Sequence, residues 1–301
     1  MKFDVIIPYY NKIRYIKRAI NSIDFDVVNK VIIVDDHSSK EIPFDFKNPK
    51  ITIIRNKENK GPSYSRNKGA ELSDANYLIF LDADDFFEKD LFKILKKITF
   101  NKDSINLISW KIKTIHDESH SNTDISSIEI IEKENYFYHK EKSNGNLVMT
   151  ASSFCIKRDI FIKNNGFNES LRVQEDPEFF CRISKSYKSI FINHILSYYD
   201  LSDENSLSKS NISSIKLPYY VLQLKDDPSP HSLNLYRNEY VRYFLLSLLN
   251  KSNENYKEFI EKENLKPIRK LNANLIILLS FFPSRLYSLL YKIFRHLKYG
   301  K

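Results

Sequence analysis

Cysteine is nearly absent from this 301-residue chain. Cys155 and Cys181 are its only two, and they form no Cys-x-x-Cys pair. That excludes a disulfide-built scaffold and a thiolate zinc site, and it fits a reducing compartment. No apolar run reaches the roughly 18 residues that a membrane-crossing helix needs. The first run, Val5-Ile6-Ile7, stops at Pro8 and is too short for the core of a secretion signal, so a cytoplasmic protein is expected. No internal repeat is present. Residues 266–301 lack acidic side chains altogether: they hold eight of the 47 Lys/Arg and none of the 38 Asp/Glu. The remainder carries 39 Lys/Arg against those 38 acids, so the net charge of +9 belongs to the tail. A basic face on the body, the footprint of nucleic-acid binding, is missing, and no nucleic-acid partner is expected.

Apolar material is plentiful. The hydrophobic fraction is 42%, with 21 Phe and 19 Tyr, enough for a real core. Residues 3–8 form a continuous β-branched run, as in a strand buried on both faces. Ile13, Ile16, Ile20 and Ile23 follow at helical spacing. Residues 31–34, 51–54 and 77–81 read as further strands, and residues 63–72 and 90–98 as helices. The order β-α-β-β-α-β-α predicts an open, mostly parallel, doubly wound α/β sheet. Residues 111–147 read as a polar excursion, residues 177–186 as a helix, residues 189–192 and 195–199 as strand-like runs, and the chain from residue 233 as helical.

Ligands of such sheets collect beyond the carboxyl ends of the strands. Two acidic clusters fall there: Asp35-Asp36 and Asp82-Ala83-Asp84-Asp85. A third, Glu175-Asp176, opens the helix at Pro177. Singly, each has a structural explanation as a turn or a helix cap. Gathered at adjacent strand ends, carboxylates repel unless a cation compensates. Hard oxygen ligands select Mg²⁺ or Mn²⁺, and such ions share their coordination with substrate phosphates.

The combination resembles glycosyltransferase family 2, with its GT-A fold. Val5-Ile6-Ile7-Pro8-Tyr9-Tyr10-Asn11 resembles that family's opening strand, and Ile33-Val34-Asp35-Asp36-His37-Ser38 its second strand and nucleotide loop. Asn59-Lys60-Gly61-Pro62 with Ser65-Arg66-Asn67-Lys68-Gly69 resembles its Gly-containing loop and Arg-Asn helix. Phe80-Leu81-Asp82-Ala83-Asp84-Asp85 resembles its DxD motif. Phe154-Cys155-Ile156-Lys157-Arg158, Gly166-Phe167-Asn168-Glu169 and Gln174-Glu175-Asp176-Pro177-Glu178-Phe179 resemble its acceptor-side half. The resemblance covers roughly residues 3–200.

It implies roles residue by residue. Pro8 and Tyr10 would line the base pocket, and Asp36 would accept a hydrogen bond from a pyrimidine N–H. Arg66 would sit near the nucleotide, Asp82 would face the ribose, and Asp84 would hold the metal on the diphosphate. Asp176 would be the catalytic base, with Glu175 beside it positioning acceptor or donor. Inversion of the anomeric centre rests on the same resemblance. His37 departs from the pattern, standing where a small residue is common. In the segment from Tyr198 to Ser208, Leu201 and Asp203 stand where the family often carries Arg and His, so the resemblance does not carry a phosphate or metal contact over to this loop, and Asp203 reads as a solvated loop residue with a ligand role as the alternative. His194 reads as a strand-end histidine bonded to backbone. Trp110, Tyr136 and Tyr138 are candidates for stacking on an acceptor sugar, with core packing the more economical reading. Both cysteines read as small buried apolar residues.

The expected architecture is a GT-A domain over residues 1–200, with a nucleotide-sugar half (1–100) and an acceptor half (101–200), then a helical extension over 201–301. Within residues 266–301, Leu286, Leu289, Leu290, Ile293, Phe294 and Leu297 repeat at helical spacing between basic residues. Such a helix suits the surface of an anionic membrane, packing on the body, or self-association into a homo-oligomer. The expected function is transfer of a sugar from a nucleotide-diphosphate sugar, a UDP-sugar above all. The acceptor would be a glycan or lipid-linked saccharide of bacterial lipopolysaccharide or polysaccharide synthesis, reached from the inner face of the membrane. Two alternatives stand beside it. One is an inactive glycan-binding scaffold of the same fold. The other is a sugar nucleotidyltransferase, which the lack of Gly in Pro8-Tyr9-Tyr10-Asn11-Lys12 disfavours.

Overall fold

The computed structural model describes residues 1–42, 46–101, 105–115, 130–134, 149–172, 174–202, 232, 233, 236 and 239. The chain divides into two compact units, residues 1–139 with 147–204, and residues 140–146 with 205–301. In the second unit the four described residues are helical. The basic tail at 266–301, Tyr136, Tyr138 and Asp203 lie outside the described residues. Among the described residues, no helix is long and apolar enough to cross a membrane.

The first unit is built on one sheet. Its strands are β1 (Phe3–Tyr9), β2 (Lys30–Asp35), β3 (Ile51–Arg55), β4 (Tyr77–Phe80), β5 (Phe86–Phe87), β6 (Leu107–Ile115), β7 (Ile130–Glu134), β8 (Phe154–Lys157) and β9 (Ser189–Asp200). They lie in the order β3-β2-β1-β4-β8-β6-β9-β5, with β7 paired to β9. The first four strands are parallel, as the alternation of short apolar runs and helices predicts. The second half is mixed, because β8 runs antiparallel to both β4 and β6 while β6 and β9 are parallel. The two runs read at 189–192 and 195–199 are one strand, β9, whose register against β6 shifts at Trp110 to Ile112.

Five helices are described in this unit: α1 (Ile16–Asn21), α2 (Pro62–Leu72), α3 (Leu91–Asn101), α4 (Arg158–Lys163) and α5 (Glu175–Ile183). Pro8 lies past Ile6, the last β1 residue paired to β4, so its missing N–H falls where the ladder on that side has ended. Gly61 adopts φ 93°, where a Cβ is strained, and Pro62 then opens α2 with its φ already helical. α2 lies so close to β1 that a Cβ on Gly69 would come within 2.5 Å of Ile6 Cγ2.

The core runs along the sheet through Val5, Ile7, Val31, Ile33, Ile79 and Leu81, all fully buried. A phenylalanine cluster joins the acceptor half to β4: Phe80 meets Phe161 at 5.1 Å, Phe167 meets Phe179 at 4.9 Å, and Phe154 meets Phe180 at 4.9 Å between ring centroids. Burial of these rings fixes where α4 and α5 sit against the sheet, and so where α5 begins.

Candidate active site

Neighbouring strands supply an acidic rim. β2 ends at Asp35 and leads to Asp36, β4 leads to Asp82, and β1 between them ends at Tyr9. Asp36 is 3% exposed. Its Oδ1 accepts from Asn56 Nδ2 (2.9 Å) and the Lys60 backbone N–H (2.9 Å), and its Oδ2 from the Gly61 N–H (2.7 Å). Three donors hold the carboxylate to the loop before α2, leaving roughly one of its ~4 lone-pair sites for a ligand N–H. Asp35 closes the turn behind it, accepting from the Ser38 N–H (2.9 Å) and Arg55 Nη1 (2.9 Å). His37 adopts φ 64°, a left-handed bend that glycine gives freely and that costs a histidine roughly 1–2 kcal/mol. Asn11, at φ 54°, ties the loop after β1 to the same turn, donating its N–H to Ser38 Oγ (3.0 Å) and accepting from the Ser39 N–H (2.9 Å). Tyr10 is thereby carried beside the Asp36 turn with 48% of its surface exposed, while Pro8 is half-buried.

The acidic turn after β4 is held from several directions. The Asp82 N–H donates to Ser152 Oγ (3.0 Å), Ser197 Oγ donates to the Ser152 carbonyl (2.6 Å), and the Trp110 indole N–H donates to Ser197 Oγ (2.5 Å). Asp84 Oδ2 accepts from Lys12 Nζ at 2.7 Å. Arg18 Nη2 donates to the Asp84 carbonyl (2.7 Å) and to Asp200 Oδ2 (2.5 Å). Asp85, 1% exposed, accepts the Asp200 N–H at 3.2 Å. Burial pushes the Asp84 carboxyl above its usual range, Lys12 opposes this, and Asp82 adds to it. Asp85 is pushed well up by burial and then by Asp84 and Asp82. For Asp200 burial works upward, but Ser202 and Arg18 outweigh it and hold the group low.

This electrostatic state tests whether a divalent cation fits. Asp84 offers hard carboxylate oxygens, and a cation added beside it would favour the ionised form that burial opposes. Among the described residues, no three His, Cys, Asp or Glu side chains are arranged to hold an ion by themselves.

Across the rim stands α5. Gln174, at φ 64°, turns the chain into it, and Glu175, Asp176 and Glu178 occupy its first turn, where the helix dipole favours negative charge. Arg66 of α2 reaches both sides. Its Nη2 donates to Asp82 Oδ1 (2.5 Å) and its Nη1 to Glu175 Oε1 (2.6 Å), although Arg66 and Glu175 are 109 residues apart. Burial alone would lower the Arg66 pKa, but Asp82 and Glu175 more than offset it, so the group stays cationic. Its guanidinium lies 5.2 Å from the Phe167 ring centroid. The next residue, Asn67, donates to the Phe167 carbonyl (2.9 Å) and accepts the Phe167 N–H (2.9 Å), pinning the Gly166–Phe167 turn ahead of α5. Asp176 is half-buried beside Glu175.

The structure thus brings Arg66, Asp82 and Glu175 into direct contact beyond the carboxyl ends of the strands, with Asp36 and Asp84 on the turns after β2 and β4 and Asp176 next to Glu175 in α5. Trp110 is not a sugar platform, because it is fully buried in the core. His194 lies inside β9 at the register shift rather than at a strand end, and its Nε2 is buried with no hydrogen-bond partner among the described residues. Cys155 and Cys181 are both buried, as expected. Leu201 donates its N–H to the Ile115 carbonyl (2.9 Å). Lys12, Arg18 and Asp200 carry part of the acidic turn, and sequence reasoning passed over all three. The only local signal was Asp200, the charged residue that ends the run at 195–199.

Residues 4–164 match the model of glycosyl transferase family 2. An uncharacterized glycosyltransferase of Haemophilus influenzae is 26% identical over 286 residues, 92% of this chain and 95% of that protein. The minor teichoic acid biosynthesis protein GgaB of Bacillus subtilis is 29% identical over 189 residues, 58% of this chain but 20% of GgaB. Among solved structures, S. aureus TarS 1-349 in complex with UDP-GlcNAc superposes with a TM-score of 0.70, covering 100% of this chain and 93% of that one at 16% identity, a likeness of fold. With more than half of its residues inside the family's model, the chain belongs to glycosyl transferase family 2 and is a glycosyltransferase.

Proposed function

We propose that the chain is a metal-dependent, inverting transferase that moves a sugar from a UDP-sugar to a glycan or lipid-linked acceptor of a bacterial surface polymer. The observation that carries this reading is the Arg66 bridge. One buried guanidinium joins Asp82 of the acidic turn to Glu175 at the start of α5 (2.5 and 2.6 Å), so donor-side and acceptor-side acids face one site. The teichoic-acid role printed for GgaB and the UDP-GlcNAc bound to TarS support the substrate classes.

The proposed roles are those the family resemblance implies, and the geometry supports them. Asp36, anchored to the Gly61 loop, keeps an acceptor site for a base N–H. Pro8 and Tyr10 border that position, and Asp82 faces the ribose. A divalent ion held by Asp84 would supply positive charge against the departing diphosphate. Asp176 accepts the proton of the acceptor hydroxyl as its oxygen attacks the anomeric carbon and the bond to the diphosphate breaks. Glu175 serves as a positioning residue, because Arg66 already holds its Oε1. Residues 1–200 form the catalytic part, and the extension at 201–301 places its basic stretch, 266–301, against anionic lipid on the cytoplasmic side.

A thermal-shift screen of nucleotide-sugars with Mn²⁺ or Mg²⁺ tests the donor half. At a ligand concentration of about 100 times Kd the stabilisation is about 2.7 kcal/mol, or roughly 5–10 °C for a unit of this size. The shift should need the metal and vanish in Asp84→Ala. Asp176→Asn should keep the shift and lose about 10²–10⁴-fold in transfer. A folded wild-type protein that responds to no nucleotide, with or without metal, would falsify the reading.

A further inference from the structure

Lys12 is not explained by any role above. It lies in the loop after β1, where the preceding residue and its own backbone are fixed. Asn11 is bonded to Ser38 and Ser39, and the Lys12 carbonyl accepts the N–H groups of Tyr15 (3.0 Å) and Ile16 (3.1 Å). From this root the side chain delivers its ammonium to Asp84 Oδ2 at 2.7 Å, with 21% and 14% of the two side chains exposed. We infer that Lys12 is the resident counter-ion of the donor site: it occupies the Asp84 oxygen until a divalent ion arrives, then transfers its ammonium to the donor's diphosphate. The inference rests on the donor-site reading of Asp84.

The argument is electrostatic and geometric. Asp82, Asp84 and Asp85 crowd one turn, and an empty site needs a cation there. An ammonium is a compact charge with three donors on a flexible stem, so it can exchange one anionic partner for another without backbone movement. A divalent ion at Asp84 repels it, and the diphosphate brings new anionic oxygens within reach of the same fixed root. A guanidinium or ammonium held only for fold stability would not need to sit on the one carboxylate that the metal requires.

The test uses the full chain, wild type, Lys12→Met and Lys12→Arg, with Mn²⁺ binding followed by electron paramagnetic resonance and UDP binding by calorimetry in saturating Mn²⁺. Near-ultraviolet circular dichroism confirms the fold of each variant. Lys12→Met should bind Mn²⁺ alone about five- to ten-fold more tightly, because its competitor is gone. It should bind UDP in saturating Mn²⁺ about ten-fold more weakly, the scale of one charge-assisted hydrogen bond. Lys12→Arg should keep UDP affinity within about three-fold. Unchanged or weaker Mn²⁺ binding in Lys12→Met overturns the counter-ion role, and tighter Mn²⁺ with unchanged UDP binding overturns the transfer to diphosphate. If wild type binds neither probe, the donor reading falls and takes this inference with it. If wild type binds both and Lys12→Met is indistinguishable, only the inference falls.

Discussion

Arg66→Met removes the one cation shared by Asp82 and Glu175. The guanidinium is 3% exposed, and the carboxylates it serves are 29% and 10% exposed. Two charge-assisted hydrogen bonds of about 1.5–3 kcal/mol each would be lost. Breaking a buried pair from one side costs about 3–5 kcal/mol, because the remaining charge stays desolvated. Two effects reduce this. The Arg66 Nε is buried without a partner among the described residues, a cost of about 1–3 kcal/mol that methionine relieves. Asp82 can also regain water. The expected net loss is about 3 kcal/mol, read as a drop of roughly 6–12 °C in Tm and a lower urea midpoint at unchanged slope. Arg66→Met with Glu175→Gln should recover much of the stability, since the stranded charge is gone, while transfer stays impaired because nothing then joins the acidic turn to α5. A loss below about 1 kcal/mol for the single variant would refute the reasoning, as would a double variant whose losses simply add.

Asp85→Asn should flatten the dependence of stability on pH. The folded pKa of Asp85 is raised, so its contribution is whole below the ordinary carboxylate range and is lost as pH rises through the raised value. Melting curves in EDTA across that range should fall for wild type and not for the variant. Equal slopes would mean that Asp85 is not the titrating group. Gly69→Ala should cost about 1–3 kcal/mol, because its Cβ would stand 2.5 Å from Ile6 Cγ2 and α2 would have to lift from β1. Its urea midpoint checks this, and a neutral result would place α2 farther from the sheet.

Much of the site was legible because its residues sit at punctuated strand ends. Val34-Asp35-Asp36 and Leu81-Asp82 each change from buried apolar to acidic at a carboxyl end, which sequence displays directly. The partners of those acids were not legible. Lys12 meets Asp84 across 72 residues and Arg18 meets Asp200 across 182, and no local pattern encodes such separations. The same limit explains the second half of the sheet. β5 is two residues long, and the register shift in β9 imitates a gap between two strands. α4 was hidden because Phe154-Cys155-Ile156-Lys157 runs into it without a break, and only tertiary packing of Phe161 marks the change. His37 shows the reverse case: a residue type that departs from the family's pattern, in a left-handed backbone conformation, φ 64°, that a small residue adopts at less cost.

Trp110 is the only tryptophan in the chain, and it stands at the head of the hydrogen-bond series through Ser197 and Ser152 to the Asp82 N–H. The protein therefore carries one indole fluorophore, shielded from water and connected to the backbone of its acidic turn. Selective excitation of that indole reads the turn without any label. A change in its emission on adding metal or nucleotide, with the fold intact, would report rearrangement at Asp82, and full exposure to a soluble quencher would report unfolding. One spectrum can separate local events at the site from loss of the whole domain.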